Sequence, residues 1–150
     1  MYDSVTVANR FLELAKDRGA TLTPMQLLKL VYLAHGWHLG LYGVPLIRED
    51  VQAWQYGPVI PKLYRAIKNF RSHPVVGPLH GGEETLDEVA DDTVEQVYSI
   101  YGRLTGPALS RLTHAPGSPW AETYVPGSFG LDISNDLIEE HYQRLANAKG

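Results

Sequence analysis

The chain has no cysteine. Disulfide frameworks, thiolate zinc sites and a cysteine nucleophile are therefore excluded together, and a chain without thiols fits a reducing cytoplasm. Long hydrophobic runs are missing as well. Nowhere do roughly 20 apolar residues follow one another, as a membrane-spanning helix requires. The opening Met1-Tyr2-Asp3-Ser4 has no basic patch ahead of an apolar run, so no signal peptide is expected. The expectation is a soluble, cytoplasmic protein with no membrane partner. Phosphate-cradling loops are lacking too: Gly77, Gly81 and Gly82 lead into no Gly-Lys-Ser or Gly-Lys-Thr, and no Rossmann fingerprint follows a strand. No cofactor is expected on these grounds. A Gly-x-Ser-x-Gly nucleophile elbow is also absent.

What is present is ordinary for a globular domain. The 150 residues are 44% hydrophobic and 20% charged, enough for one domain over 1–150 with a sizeable core. A net charge of −4 argues against nucleic acid as the partner. The charge is unevenly spread. Residues 1–75 carry nine Lys or Arg against five Asp or Glu, and residues 76–150 carry four against twelve. The halves can complement each other inside one fold, or one face can meet a protein of opposite sign.

The clearest element lies between Thr23 and Gly43. Thr23 is a good N-cap, Pro24 sits at the first helical position, and Gln26 completes a capping box. Leu22 and Leu27 form a hydrophobic staple across that start, and Gly43 stops the helix. Apolar residues surround it (Leu27, Leu30, Val31, Leu33, Ala34, Leu39), which predicts a central helix packed on several sides. Gly36 and Gly40 lie four apart and each costs about 1 kcal/mol of helix propensity. That cost is consistent with a close neighbour there.

Around this helix the periodicity predicts others. Residues 4–18 form an amphipathic helix with Val5, Ala8, Phe11, Leu12 and Ala15 inward, ended by Gly19. The segment 45–56 reads as a small hairpin, with Pro45-Leu46-Ile47 and Val51-Gln52-Ala53-Trp54 either side of Arg48-Glu49-Asp50. A helix beginning between Pro58 and Pro61 runs to about Phe70. Residues 72–85 read as a loop and as the most mobile segment. Further helices are expected over 91–104, capped by Asp91 or Asp92, over 108–114, and from Ser134 to about Ala148, with 115–131 irregular. The fold class is mainly α: a single-domain bundle of about five to six helices around the helix over 24–42, with a β-hairpin or extended element near 45–56.

Candidate chemistry is sparse. His35 and His38 stand at i, i+3 with Gly36 and Trp37 between them instead of the Glu of a zinc helix, so hydrogen-bonded core histidines are expected and no metal. Ser110 and His114 at i, i+4 suggest capping before nucleophilic catalysis. Lys62, Arg65, Lys68 and Arg71 recur every third residue as a basic stripe, and the acidic run from Glu83 to Glu95 lies a loop away, able to fold over it. Trp54, Tyr56, Tyr64 and Trp120 flank turn residues, where protein interfaces often find their anchors.

Several words in this chain are more specific: Thr23-Pro24-Met25-Gln26-Leu27-Leu28-Lys29-Leu30, Ala34-His35-Gly36-Trp37-His38-Leu39, Ala53-Trp54-Gln55-Tyr56-Gly57-Pro58-Val59-Ile60-Pro61 and Leu109-Ser110-Arg111-Leu112-Thr113-His114, followed by Pro119-Trp120. Together they resemble the Panacea domain, the SocA-like antitoxin or GepA-like phage-associated family, over roughly residues 4–142. One departure is Ala115-Pro116-Gly117-Ser118, without a carboxylate, where the family has a shorter acidic link. The resemblance implies an antitoxin of a prokaryotic or phage toxin–antitoxin pair, which binds a co-encoded toxin directly and is no enzyme. A SocA-like member also acts as an adaptor that delivers its toxin to the ClpXP protease, so the resemblance implies a cognate toxin and ClpXP as partners. Some relatives add a DNA-binding domain, for which 150 residues leave no room. The partner-binding residues expected are Trp54, Tyr56, Lys62, Arg65, Arg111, His114 and Trp120. Two other readings stay open: a small hydrolase-like enzyme with His38 or His114 as general base, and a phage or prophage structural interaction protein.

Overall fold

The computed structural model describes residues 1–149. Helix α1 (Ser4–Asp17) is capped by the Asp3 carboxylate, which accepts from Val5 N, and Gly19 follows at φ +68. Helix α2 (Pro24–Tyr42) begins with the expected reciprocal box: Thr23 Oγ1 accepts from Gln26 N, and Gln26 Oε1 accepts from Thr23 N at 2.9 Å. It ends at Gly43 in the left-handed region. Every residue from Leu27 to Gly36 is buried, so α2 is the spine of the domain. Against it pack α1, α3 (Pro61–Ile67), α4 (Glu88–Tyr101), α5 (Gly106–Thr113) and α7 (Asn135–Lys149).

The two glycines of α2 explain the tightest of these contacts. A Cβ on Gly40 would lie 2.6 Å from Tyr142 Cβ and 2.8 Å from the Tyr142 backbone carbon; one on Gly36 would strike the Tyr142 ring. Helix α7 thus crosses α2 with its backbone laid against glycine, which offsets the propensity lost. Tyr142 then meets Tyr32 and Trp37 edge-on, at centroid distances of 6.4 and 5.2 Å, a geometry that adds to the burial of all three rings.

The β element differs from the expected hairpin. Strand β1 (Val51–Trp54) pairs antiparallel with β2 (Gly57–Val59) across the two-residue turn Gln55–Tyr56, and on its other side with β3 (Leu131–Ile133), giving the order β2-β1-β3. Pro58 fits because β2 is an edge strand and lacks a partner for the missing N–H. Residues 45–47 are not the hairpin's other arm. They run beside the N-terminus instead, where Tyr2 N donates to Leu46 O at 2.8 Å and Arg48 N to Tyr2 O at 2.9 Å.

Three further boundaries are corrected. Helix α4 starts at Glu88, capped by Asp87, because Asp91 is committed to Arg10. The stretch expected to be irregular contains α6 (Pro119–Thr123), capped by Ser118, and the strand β3. Helix α3 gives way to a 3-10 turn at Lys68–Phe70.

The segment between that turn and α4 has no regular structure, yet it is fastened at several points. The Asn9 amide clasps Leu79 through both its atoms, at 2.7 and 2.9 Å, and also reaches Gly82 O at 3.1 Å. Val75 N donates to Leu22 O. Glu84 accepts from Asp3 N and pairs with Arg48. The acidic run therefore lies along α1 and does not cover the basic stripe.

Candidate functional site

Turn chemistry and edge packing create a groove on the opposite side. Helix α3 and the 3-10 turn after it present Tyr64, Ile67 and Lys68 on one wall, and the β1–β2 hairpin presents Trp54 and Tyr56. The loop 124–129 closes the far wall with Tyr124 and Phe129. Met25, Leu28 and Lys29 from the first turns of α2 line the base. The groove is open to solvent and has a volume of about 870 Å³, toward the upper end of the range for ligand-holding clefts.

Aromatic contacts hold the walls. The Trp54 ring meets Tyr64 edge-on at 5.0 Å and Phe129 at 5.2 Å. Trp120 donates its indole N–H to Trp54 O, stacks on Tyr124 at 4.8 Å, and takes the His114 ring edge-on at 5.3 Å. Ser110 Oγ donates to Tyr56 O at 2.8 Å. Trp54, Tyr56, His114 and Trp120 are thus brought together as one assembly, with α5 and α6 buttressing the hairpin from behind. Tyr56 and Phe129 remain 71% and 80% exposed at the groove mouth.

The other expected residues fall elsewhere. Lys62 is turned toward α1, where its ammonium pairs with Asp3, and the Asp3 carboxylate keeps it more basic than usual. Arg65 and Arg111 are exposed and line no part of the groove. Of the basic stripe, only Lys68 and Arg71 reach the rim, and neither forms an ion pair among the described residues. Arg71 holds φ 58 and ψ −115, a conformation a side-chain-bearing residue seldom adopts.

Sequence reasoning passed over the most unusual group, Lys29. It is the one charged residue in α2, and that isolation was the available signal. Its side chain is 3% exposed, and its ammonium donates to Pro58 O at 2.9 Å. Burial pushes its pKa down to about 8, since a low dielectric disfavours the charged form.

The histidines occupy structural positions. His35 Nδ1 accepts from Leu46 N and Ile47 N, both at 3.3 Å, which leaves Nε2 to donate to Asn135 Oδ1 at 3.0 Å. Burial lowers its pKa to about 4, so it is neutral. His38 Nδ1 donates to Val44 O at 2.7 Å and His114 Nδ1 to Ser110 O. Neither His38 nor His114 is hydrogen-bonded to a carboxylate among the described residues. No cluster of three His, Asp or Glu suited to a metal occurs among them, and none of their helices is long and apolar enough to cross a membrane.

Comparison with known proteins gives a consistent picture. Antitoxin SocA of Caulobacter vibrioides (strain NA1000 / CB15N) is 29% identical over 155 residues, an alignment that takes in 94% of this chain and 82% of that protein. No solved structure matches significantly. The family model described as "Antitoxin SocA-like, Panacea domain" matches residues 27–121, from the buried start of α2 through the hairpin to Trp120 and the next residue. This chain belongs to the SocA-like antitoxin, Panacea domain family.

Proposed function

We propose that this protein is the antitoxin of a prokaryotic or phage toxin–antitoxin pair, and that it neutralises a co-encoded protein toxin in the cytoplasm by binding it. The observation that carries the reading is the family match over 27–121, which spans both the spine of the fold and the hairpin assembly. The protein acts by occlusion rather than catalysis: a preformed surface covers the toxin's active or target-binding face. In support, His38 and His114 are engaged with backbone carbonyls, an arrangement suited to packing more than to general-base work. Delivery of the toxin to ClpXP is a subsidiary part of the reading, resting on the family resemblance.

Trp54, Tyr56 and Trp120, with Lys62, Arg65, Arg111 and His114, are the proposed partner-binding residues. Trp54 and Tyr56 have the best support because they border the groove. Trp120 contributes by holding Trp54 in place. The test is co-expression. The neighbouring reading frame is expressed alone and with this chain, and surviving colonies are counted. Killing by the neighbour and rescue by this chain support the reading; a harmless neighbour, or equal killing in both cases, removes it. Trp120→Ala and Tyr56→Ala are expected to lose rescue while the fold survives. Full rescue by both would overturn this choice of residues.

A further inference from the structure

We propose that the groove between α3, the β1–β2 hairpin and the 124–129 loop seats a segment of the partner protein that carries a carboxylate beside a large apolar side chain, the carboxylate on Lys29 and the apolar group between Trp54, Tyr64 and Phe129. The proposal rests on the antitoxin reading and adds the site and the chemistry of the occupant.

Lys29 is the starting point. An ammonium has three donors. Pro58 O takes one, and no carboxylate pairs with Lys29 among the described residues. A buried cation with unused donors is costly unless an anion completes it. Lys29 lines the base of the groove. Gly57, at φ +122, faces its ammonium, and a Cβ there would lie 2.9 Å from Nζ. The backbone is therefore bare where any larger residue would crowd the charge.

The walls select the rest of the ligand. Lys68 and Arg71 add two cations at the rim, while Asp and Glu are absent from the lining. Away from it, carboxylates do find cations: Asp91 pairs with Arg10 and Glu84 with Arg48. The groove is thus complementary to negative charge although the whole chain is negative. Between the cations the surface is aromatic, so a bare anion would leave most of it wet. A free small acid would cover the base only. Tyr56, Phe129 and Val125, at 71%, 80% and 52% exposure, carry the apolar surface outward beyond its reach, and a polypeptide segment would cover both base and mouth.

The experiment has two arms. In the first, the purified chain labelled with nitrogen-15 is titrated with 3-phenylpropionate, with the neutral 3-phenylpropanamide and with inorganic phosphate, and amide and indole shifts are followed. The acid is expected to move the signals of Trp54, Gly57 and Phe129 and to bind at least tenfold tighter than the amide, with that preference lost in Lys29→Met. Equal binding of acid and amide overturns the proposal, and so does tighter binding of phosphate, which would point to a phosphate-bearing ligand. In the second arm, Lys29→Met, Phe129→Ala and Arg71→Glu are co-expressed with the neighbouring toxin. Each is expected to cut colony recovery at least tenfold while circular dichroism shows an unchanged fold. Phe129 and Arg71 are exposed, so these two variants keep the test valid if Lys29→Met folds poorly. Wild-type recovery from all three variants overturns the proposal, even if the acid binds, because the site would then belong to a free small acid. Failure of the wild type itself to rescue removes the antitoxin reading, a different result from failure of the variants alone.

Discussion

The two faces of α2 handle charge in opposite ways. On the α1 side three cations are matched by carboxylates. Arg10 meets Asp91, Arg48 meets Glu84 and Lys62 meets Asp3. Glu49 accepts from both the backbone and the hydroxyl of the buried Ser4, and Asn9 satisfies the strap's backbone. On the groove side Lys29, Lys68 and Arg71 converge without a carboxylate, and aromatic rings stay exposed. A fold that pairs these cations on one face can pair them on the other. The difference marks the first face as internal fastening and the second as a surface that awaits a partner.

The sharpest way to break the fastened face is at Gly82. A Cβ there would lie 2.7 Å from the Val5 backbone and from Asn9 Nδ2. Gly82→Val must push the strap off α1, and a loss of about 3 kcal/mol is expected, the upper end for overpacking. Urea denaturation measures it, and a loss well under about 1 kcal/mol would show that the strap is only loosely held. His35 gives the next largest effect. Its folded pKa, about 4, lies below the unfolded value of 6.5. The unfolded chain therefore binds the proton more readily, and stability is lost as pH falls from 6.5 toward 4. Between pH 7.5 and 5 the loss is about 2 kcal/mol, and His35→Gln should flatten that dependence.

On the groove side the sign is the same, but the window lies at higher pH. Lys29 also has a folded pKa, about 8, below its unfolded 10.5. The unfolded chain holds the proton more tightly, so stability climbs as pH rises from 8 to 10.5, and below pH 8 the buried charge is a standing cost. Lys29→Met removes a cost of about 3 kcal/mol and forfeits the bond to Pro58 O, about 1–2 kcal/mol. The variant should therefore be about 1–2 kcal/mol more stable at pH 7 while it loses rescue. A less stable variant would make Lys29 a structural residue and dissolve the contrast between the faces.

Where the sequence was legible, the signals were local. Thr23, Pro24, Gln26 and Gly43 fix the ends of α2 through contacts a few residues apart. Gly36 and Gly40 announced the approach of a neighbour, although not that it would be Tyr142. What failed depended on distant partners. Residues 45–47 and 51–54 have the pattern of a hairpin, but Tyr2 claims the first and β2 and β3 claim the second. Asp87 and Asp91 are equally good caps in isolation, and only Arg10, 81 residues from Asp91, decides between them. The candidate site shows the same limit. Trp54, Tyr56 and Trp120 stand out by residue type, and the structure brings them together. Lys62 looked like part of an open stripe because nothing in the sequence reveals that Asp3 lies beside it. Phe129 was hidden in a stretch rich in proline and glycine.

The smallest expected effect tests the comparison from the other side. Arg48 and Glu84 form an exposed ion pair, and the arginine draws the carboxyl of Glu84 well below the usual carboxylate range. Pairs this exposed contribute little to global stability because water and salt screen them. Glu84 also accepts from Asp3 N and Thr6 Oγ1, so the strap keeps other anchors when the arginine is removed. Arg48→Ala should therefore leave the denaturation midpoint and toxin rescue unchanged. Its effect should appear only as faster hydrogen exchange around residues 82–87, because local opening responds to contacts too weak to register in global unfolding. A drop in rescue without a change in midpoint would mean that the partner reads the α1 face as well. The division into a fastened face and an open one would then have to be redrawn around Arg48.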